Sequence, residues 1–464
     1  MTQTIDDNCD RYFCPWHVLI IAHLVGFTVL GLYCTITRRY LFADGSLFLI
    51  NLLRTRSVAE WFPARHFAHI LTQYPAVVLA RDLGCRDAAL IGSTYGATMF
   101  LLPVAGLAVT WWAASKAPAH YLMFPMLSQS ILFMNTSFVI FCETHMAVCL
   151  FWCLLFLLTF SERLTLTRSA SLIFFGVLAT RTYESYLFLS LPLLFVAARR
   201  CRSAWSAHRN WEVVVCTICG LLFLVSMAIA IHSTVFPFDA MNRSNFANSM
   251  VEHFAYTPVK FSIIVVVSLF WCVLLTHHVL GWRILFCAAI ASASVVLFML
   301  ARGSYESWYM LYISRVQTLY IPLIFGSLVA ANIPTVRRMH LDHTDSMRRL
   351  WRLTALTWIV ATVFQLNATL RWNEYREAMV QELSKARGVI SFDQFVPGTW
   401  DFSWGWAMPS LSVALGALDL GSISTIICAP DGTGWQPFDP LNRDAIPELA
   451  EYGIRSDFTG GKRE

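Results

Sequence analysis

The stretch "SASLIFFGVLATRTYESYLFLSLPLLFVAA" (169–198) decides how this chain folds. One upright transmembrane helix needs about 20 apolar residues. This run is longer than that and carries Arg181 and Glu184 at its middle. Two charges at a bilayer centre cost several kcal/mol. The run is therefore expected to be two helices meeting at "TRTYES" (180–185), which brings both charges to a membrane surface. The alternative is one long tilted helix in which Arg181 and Glu184 pair with each other.

Outward from this stretch, apolar runs of spanning length occur at about 15–37, 87–113, 119–139, 141–160, 212–234, 259–276, 284–301, 316–335 and 350–370. With the broken pair, about eleven spans are expected. The composition agrees: 57% of the 464 residues are hydrophobic and 14% charged, and mean hydropathy is +0.56. Soluble domains carry about 25% charged residues, so the class is a polytopic α-helical membrane protein. A dispersed net charge of +5 excludes nucleic acid as a partner. The 13 cysteines are odd in number and mostly lie inside apolar runs (Cys149, Cys153, Cys216, Cys219), which excludes a disulfide framework.

Short basic loops orient the spans. "RRCRSAWSAHR" (199–209) and "RRMHLDHTDSMRR" (337–349) are expected on the cytoplasmic side. The other face then gathers the long loop 38–86, "NTSFVIFCETH" (135–145), "TRTYES", the loop 235–258, "RGSYESWYMLYISR" (302–315) and the tail. Nearly every informative polar residue falls on that face. The first loop is arginine-rich (Arg38, Arg39, Arg54, Arg56, Arg65) although it lies outside, so its arginines need something anionic to bind. Helical spacing of its apolar residues predicts two amphipathic interfacial helices with a break near Phe62-Pro63. The chain divides into a transmembrane domain, 1–370, and a small extracytoplasmic C-terminal α/β domain, 371–464. The latter opens on a helix closed by Gly388 and continues with short apolar pieces such as "ISTIICA" (423–429).

An acid at the membrane surface, Asp44 in "LFADGS" (41–46), fits the transfer of a sugar carried on an isoprenoid phosphate. The leaving phosphate needs no general acid. The acceptor hydroxyl needs a carboxylate base, and the departing phosphate needs fixed positive charge, which the planar fork of arginine supplies in two places. Asp44 is the candidate base. Arg302, Arg243, Arg65 and Arg181 are candidates for the phosphate, and Glu143 and Glu306 for acids in the acceptor cavity. His66, His145, Glu184 and Tyr305 complete the candidate lining. A divalent cation is a possible addition, for which only Asp44 with Glu143 or Glu306 could supply convergent oxygens. Against these stand plainer readings. Asp44 can cap the following helix, and His66 with His69 on one helix face can be interfacial packing.

Three features carry a resemblance: the acid after the first span with its long loop, the "ETH" turn at 143–145, and the broken pair at "GVLATRTYES". In these the chain resembles the GT-C class of integral-membrane glycosyltransferases, which includes the protein mannosyltransferases and the aminoarabinose transferases of lipid A. The resemblance implies an inverting transferase with an isoprenoid-phosphate sugar donor and a glycan or glycolipid acceptor. It implies a site on the periplasmic or extracellular side of a bacterial inner (plasma) membrane. Asp44 matches that class's first-loop catalytic acid, and Glu143 falls near a second cavity acid. The chain departs from the class at Gly45, where many members place a second acid. A lipid-linked glycan flippase and a polysaccharide polymerase or ligase are the alternatives.

Overall fold

In lipid, a backbone can satisfy its own N–H and C=O groups only as a helix or a closed barrel, and the apolar runs here take the first course. The computed structural model describes residues 15–59, 63–135, 142–236, 322–323, 325–327, 329–330, 344–391, 407–428 and 449–456. The expected spans at 259–276 and 284–301 lie outside the described residues, as do Arg243, Arg302, Tyr305 and Glu306. The described helices are α1 (Pro15–Ile36), α2 (Asp44–Thr55), α3 (His66–Val77), α4 (Ala88–Ala113), α5 (Met123–Asn135), α6 (Cys142–Phe160), α7 (Leu166–Thr180), α8 (Tyr186–Ser206), α9 (Asn210–Val235), α10 (Thr344–Lys385) and α11 (Met408–Leu415). Among them, five contain a stretch long and apolar enough to cross a membrane, in α1, α4, α6, α9 and α10. That is the make-up of a helical membrane protein.

The run at 169–198 breaks as its central charges require. α7 stops at Thr180, residues 181–185 form a turn, and α8 starts at Tyr186. Short connections make the helices alternate in direction, which sorts the polar residues into two ends. At one end the backbone N–H of Phe67, in the first loop, donates to the Arg181 carbonyl in the α7–α8 turn (2.9 Å). At the other, the Arg200 guanidinium donates to the carbonyls of Leu158 (2.9 Å) and Ser161 (2.6 Å). It also pairs with buried Glu212 (3.1 Å), which takes Arg209 as well (3.0 Å). The basic segment 199–209, expected as a loop, is the last turns of α8 and its short link to α9, and it lies at the end opposite the first loop.

The tail departs from expectation. The boundary placed at 370/371 falls inside α10, which continues without a break for 42 residues. Strand β1 (Gly388–Ser391) follows, entered through Gly388 at φ 85°, and pairs in parallel with β3 (Thr425–Cys428). The two-residue strands β2 (Ser422–Ile423) and β4 (Arg455–Ser456) form a second parallel pair. These pieces share one hydrophobic core with the first loop: Tyr40, Leu49 and Leu52 join Trp372, Tyr375, Leu411, Ile426 and Ile427. Charge pairs close the same seam. Asp419 accepts from Arg38 (2.8 Å) and Arg376 (3.0 Å), and Glu451 accepts from Arg86 (2.6 Å) and Arg56. The Tyr452 hydroxyl donates to the Leu53 carbonyl (2.7 Å). With the tail packed over it, α2 is buried at every residue from Gly45 to Leu53. It is an enclosed helix and not the open-faced amphipathic one expected, whereas α3 keeps Tyr74 exposed.

Behind this seam, buried Arg39 ties the end of α1 to α10, donating to Gln365 Oε1 (2.7 Å) and Thr369 Oγ1 (2.9 Å). Tyr40 lies flat against α4, where a Cβ at Gly96 would meet its ring. Gly45 is more constrained still. A Cβ there would overlap the Tyr40 carbonyl oxygen, a backbone atom that cannot turn aside. The missing second acid beside Asp44 therefore has a steric reason, since the backbone leaves no room for any side chain at 45. Overpacking typically costs about 1–3 kcal/mol. Gly45→Ala is expected to lose at least that much, seen as a lowered melting temperature of the detergent-solubilised chain, while Gly220→Ala, at an open helical position in α9, loses less.

Candidate functional site

Asp44 is the first residue of α2, half-buried, where the positive end of the helix dipole favours a carboxylate. The N-cap position itself is Ala43, whose side chain cannot accept a hydrogen bond. Ala43 sits at φ 53°, ψ −126°. For a residue with a Cβ such a conformation costs on the order of 1–3 kcal/mol. Surrounding contacts hold it there. The Ser46 hydroxyl donates to the Ala43 carbonyl (3.1 Å) and meets the Ser410 hydroxyl from the tail (3.0 Å). The tail thus backs the turn that presents Asp44.

One turn along α2 from Asp44, Phe48 packs its ring on the edge of His69 from α3, with centroids 4.9 Å apart. His69 is buried, and it belongs to a charged cluster that joins three separate parts of the chain. Its Nε2 lies 3.1 Å from Glu143 Oε1, in the first turn of α6. Its Nδ1 lies 2.9 Å from the Ala59 carbonyl. Gln73, one turn further along α3, accepts from the Ala59 N–H (2.8 Å) and donates to the same carbonyl (3.2 Å). Arg65, at the head of α3, spreads its fork over both neighbouring elements. Nη1 donates to Glu143 Oε2 (3.1 Å), and Nε donates to both oxygens of Glu184 in the α7–α8 turn (3.0 and 3.1 Å). The guanidinium also lies over the Tyr183 ring, 5.1 Å from its centroid.

Burial alone would pull the Arg65 pKa down, but the charges of Glu143 and then Glu184 outweigh it and hold the value well above that of an ordinary arginine. Arg65 is a permanent cation shared by two carboxylates. Its Nε and Nη1 donors are directed at side chains of the protein itself. Glu184 takes Arg65 as a partner, and Arg181 contributes its carbonyl to Phe67. His145 lies on another side of α6 from Glu143, fully buried with its ring against Phe133 (4.7 Å). The His66 ring packs on Phe67 (5.2 Å). Among the described residues no group of three or more His, Cys, Asp or Glu side chains could hold a metal ion.

Sequence reasoning thus brought Glu143, Glu184 and Arg65 to one end of the molecule but did not include His69, Gln73 or Tyr183 in the site. A signal for the first two existed. His69, Thr72 and Gln73 form a polar stripe at helical spacing, and the structure buries that face of α3. Buried polar groups need partners, and these find theirs in Glu143 and Ala59. Compared with family models, curated proteins and solved structures, the chain matches none.

Removing one partner of a buried ion pair costs about 3–5 kcal/mol. The Arg65 side chain is 19% exposed, so Arg65→Leu is expected to cost somewhat less, as a clear fall in melting temperature. Arg65→Lys should lie between wild type and Arg65→Leu, because one ammonium cannot span both carboxylates. A Lys variant that melts with the wild type would show that the fork contributes nothing.

Proposed function

We propose that this chain is an inverting membrane glycosyltransferase that moves a sugar from an isoprenoid-phosphate donor to a glycan or glycolipid acceptor, with Asp44 as general base. The observation that supports this reading most directly is convergence. The Asp44 turn, the start of α6 and the α7–α8 turn meet at one end of the bundle, joined through Phe48, His69, Glu143, Arg65 and Glu184. The strained Ala43 directly before Asp44 adds to it, since such strain clusters at functional sites.

In this reading the Asp44 carboxylate takes the proton of the acceptor hydroxyl as its oxygen bonds to the anomeric carbon. The bond to the phosphate breaks on the opposite face, which inverts the configuration. Positive charge on the departing phosphate is assigned to Arg302 and Arg243, outside the described residues, with Arg181. Arg65 is assigned a different task, holding Glu143 and Glu184 as the wall of the cavity. Exposed Arg163, Arg199 and Arg202 at the opposite end argue by the positive-inside rule for a cytoplasmic side there. The site then faces the periplasm or cell exterior, in a bacterial inner membrane.

The test is transfer of radiolabelled sugar from isoprenoid-monophosphate donors to extracted envelope glycolipid, with the protein in nanodiscs. General-base catalysis contributes about 10²–10⁴-fold. Asp44→Asn, which keeps size and hydrogen bonding, is expected to lose turnover by that factor while its melting temperature stays near that of wild type. Undiminished transfer by Asp44→Asn would remove Asp44 as the base. Covalently unchanged substrate crossing the vesicle wall would replace the reading with a transporter.

A further inference from the structure

On α8, Leu191, Phe195, Arg199, Arg202 and Trp205 recur every three or four residues, the spacing that puts side chains on one face of a helix. All five are exposed, and Leu191, Phe195 and Trp205 are each more than half so. The other face of the helix, with Leu189, Leu193 and Val196, is buried in the bundle, where α8 packs on α6 and α9. The exposed stripe therefore looks outward, into lipid.

Its depth is fixed by a neighbour. Arg200 reaches the carbonyls of Leu158 and Ser161, where α6 ends, and Glu212 in the first turn of α9. Arg199 and Arg202 thus lie at the level where the helices leave the bilayer. Leu191 lies about 12 Å deeper, at about 1.5 Å per residue, which keeps it within one leaflet of a core about 30 Å thick. An apolar stripe so ends on two cations and then on a tryptophan, a residue enriched at the headgroup level. The Arg199 guanidinium lies over the Phe195 ring, 5.8 Å from its centroid. Glu212 is taken by Arg200 and Arg209, and among the described residues neither Arg199 nor Arg202 pairs with a carboxylate. Two cations in this position select an anionic headgroup, because a choline headgroup brings an ammonium that cancels its own phosphate. We propose that this face of α8 binds one acidic glycerophospholipid, its phosphate between Arg199 and Arg202 and an acyl chain along Phe195 and Leu191.

The experiment titrates the full chain, in mild detergent at low salt, with fluorescent phosphatidylglycerol, with phosphatidylcholine of the same chains, and with water-soluble glycerol phosphate. Phosphatidylglycerol is expected to bind more tightly than phosphatidylcholine, and glycerol phosphate to compete poorly. An arginine near an anionic surface is worth about fivefold, so Arg199→Gln with Arg202→Gln should weaken phosphatidylglycerol binding about 25-fold. Arg352→Gln removes an exposed cation at the same end but on α10, which packs on α1 and α5, and should change little. Equal binding of the two lipids, an undiminished preference in the double variant, or an equal loss from Arg352→Gln would each overturn the proposal. Glycerol phosphate competing as well as the lipid would overturn it too, since the apolar stripe would then contribute nothing. Should the double variant fail to fold, Arg202→Gln alone is expected to lose about fivefold, and binding unchanged from wild type would have the same consequence. This face lies at the end away from Asp44 and the titration involves no sugar transfer, so its result is independent of whether the chain proves to be a transferase.

Discussion

A guanidinium group withdrawn from bulk water needs carboxylates around it, and Arg65 finds two, Glu143 and Glu184, at 3.0–3.1 Å. Each comes from a different part of the chain, 78 and 119 residues further on. The first loop, the start of α6 and the α7–α8 turn are held together by this one side chain, and the backbone bond from Phe67 to Arg181 runs parallel to it. Within membrane-spanning bundles, apolar contacts between helices gain little over contacts with lipid, so polar bonds at the helix ends weigh more in choosing neighbours. The opposite end follows the same logic with the signs exchanged: one carboxylate, Glu212, gathers Arg200 and Arg209.

The second constraint is the seam between first loop and tail. Asp419 and Glu451 each take two arginines, and a continuous apolar core lies beneath them. This seam encloses α2, brings Ser410 to Ser46, and holds Ala43 in its positive-φ conformation just before Asp44. Four of the five loop arginines that seemed to call for an anionic ligand have partners within the protein. Arg38 and Arg56 hold the tail, Arg39 ties α1 to α10, and Arg65 organises the cavity wall. For these four, carboxylates and amides of the protein itself supply partners.

Much of the architecture was legible in the sequence for a simple reason. Hydropathy over about 20 residues and the cost of a charge at mid-bilayer are local properties. They placed α1, α4, α6 and α9 near their observed bounds and broke the run at 169–198 between Thr180 and Tyr186. The gathering of Glu143, Glu184 and Arg65 at one end followed from counting spans, which needs no knowledge of packing. The boundary at 370/371 was placed where composition changes from apolar to charged. Helical backbone bonds do not depend on that change, and α10 runs through it.

By itself, then, the sequence determined a helical membrane chain whose acids and arginines crowd one end. Only the tertiary structure decided which of them meet, because a hydrogen bond of 3 Å between residues far apart in the chain depends on how whole helices pack. It joined His69 to Glu143, gave Arg65 two carboxylate partners, and closed the tail over α2. It also gave Gly45 its reason, the carbonyl of Tyr40 standing where a side chain would have to be.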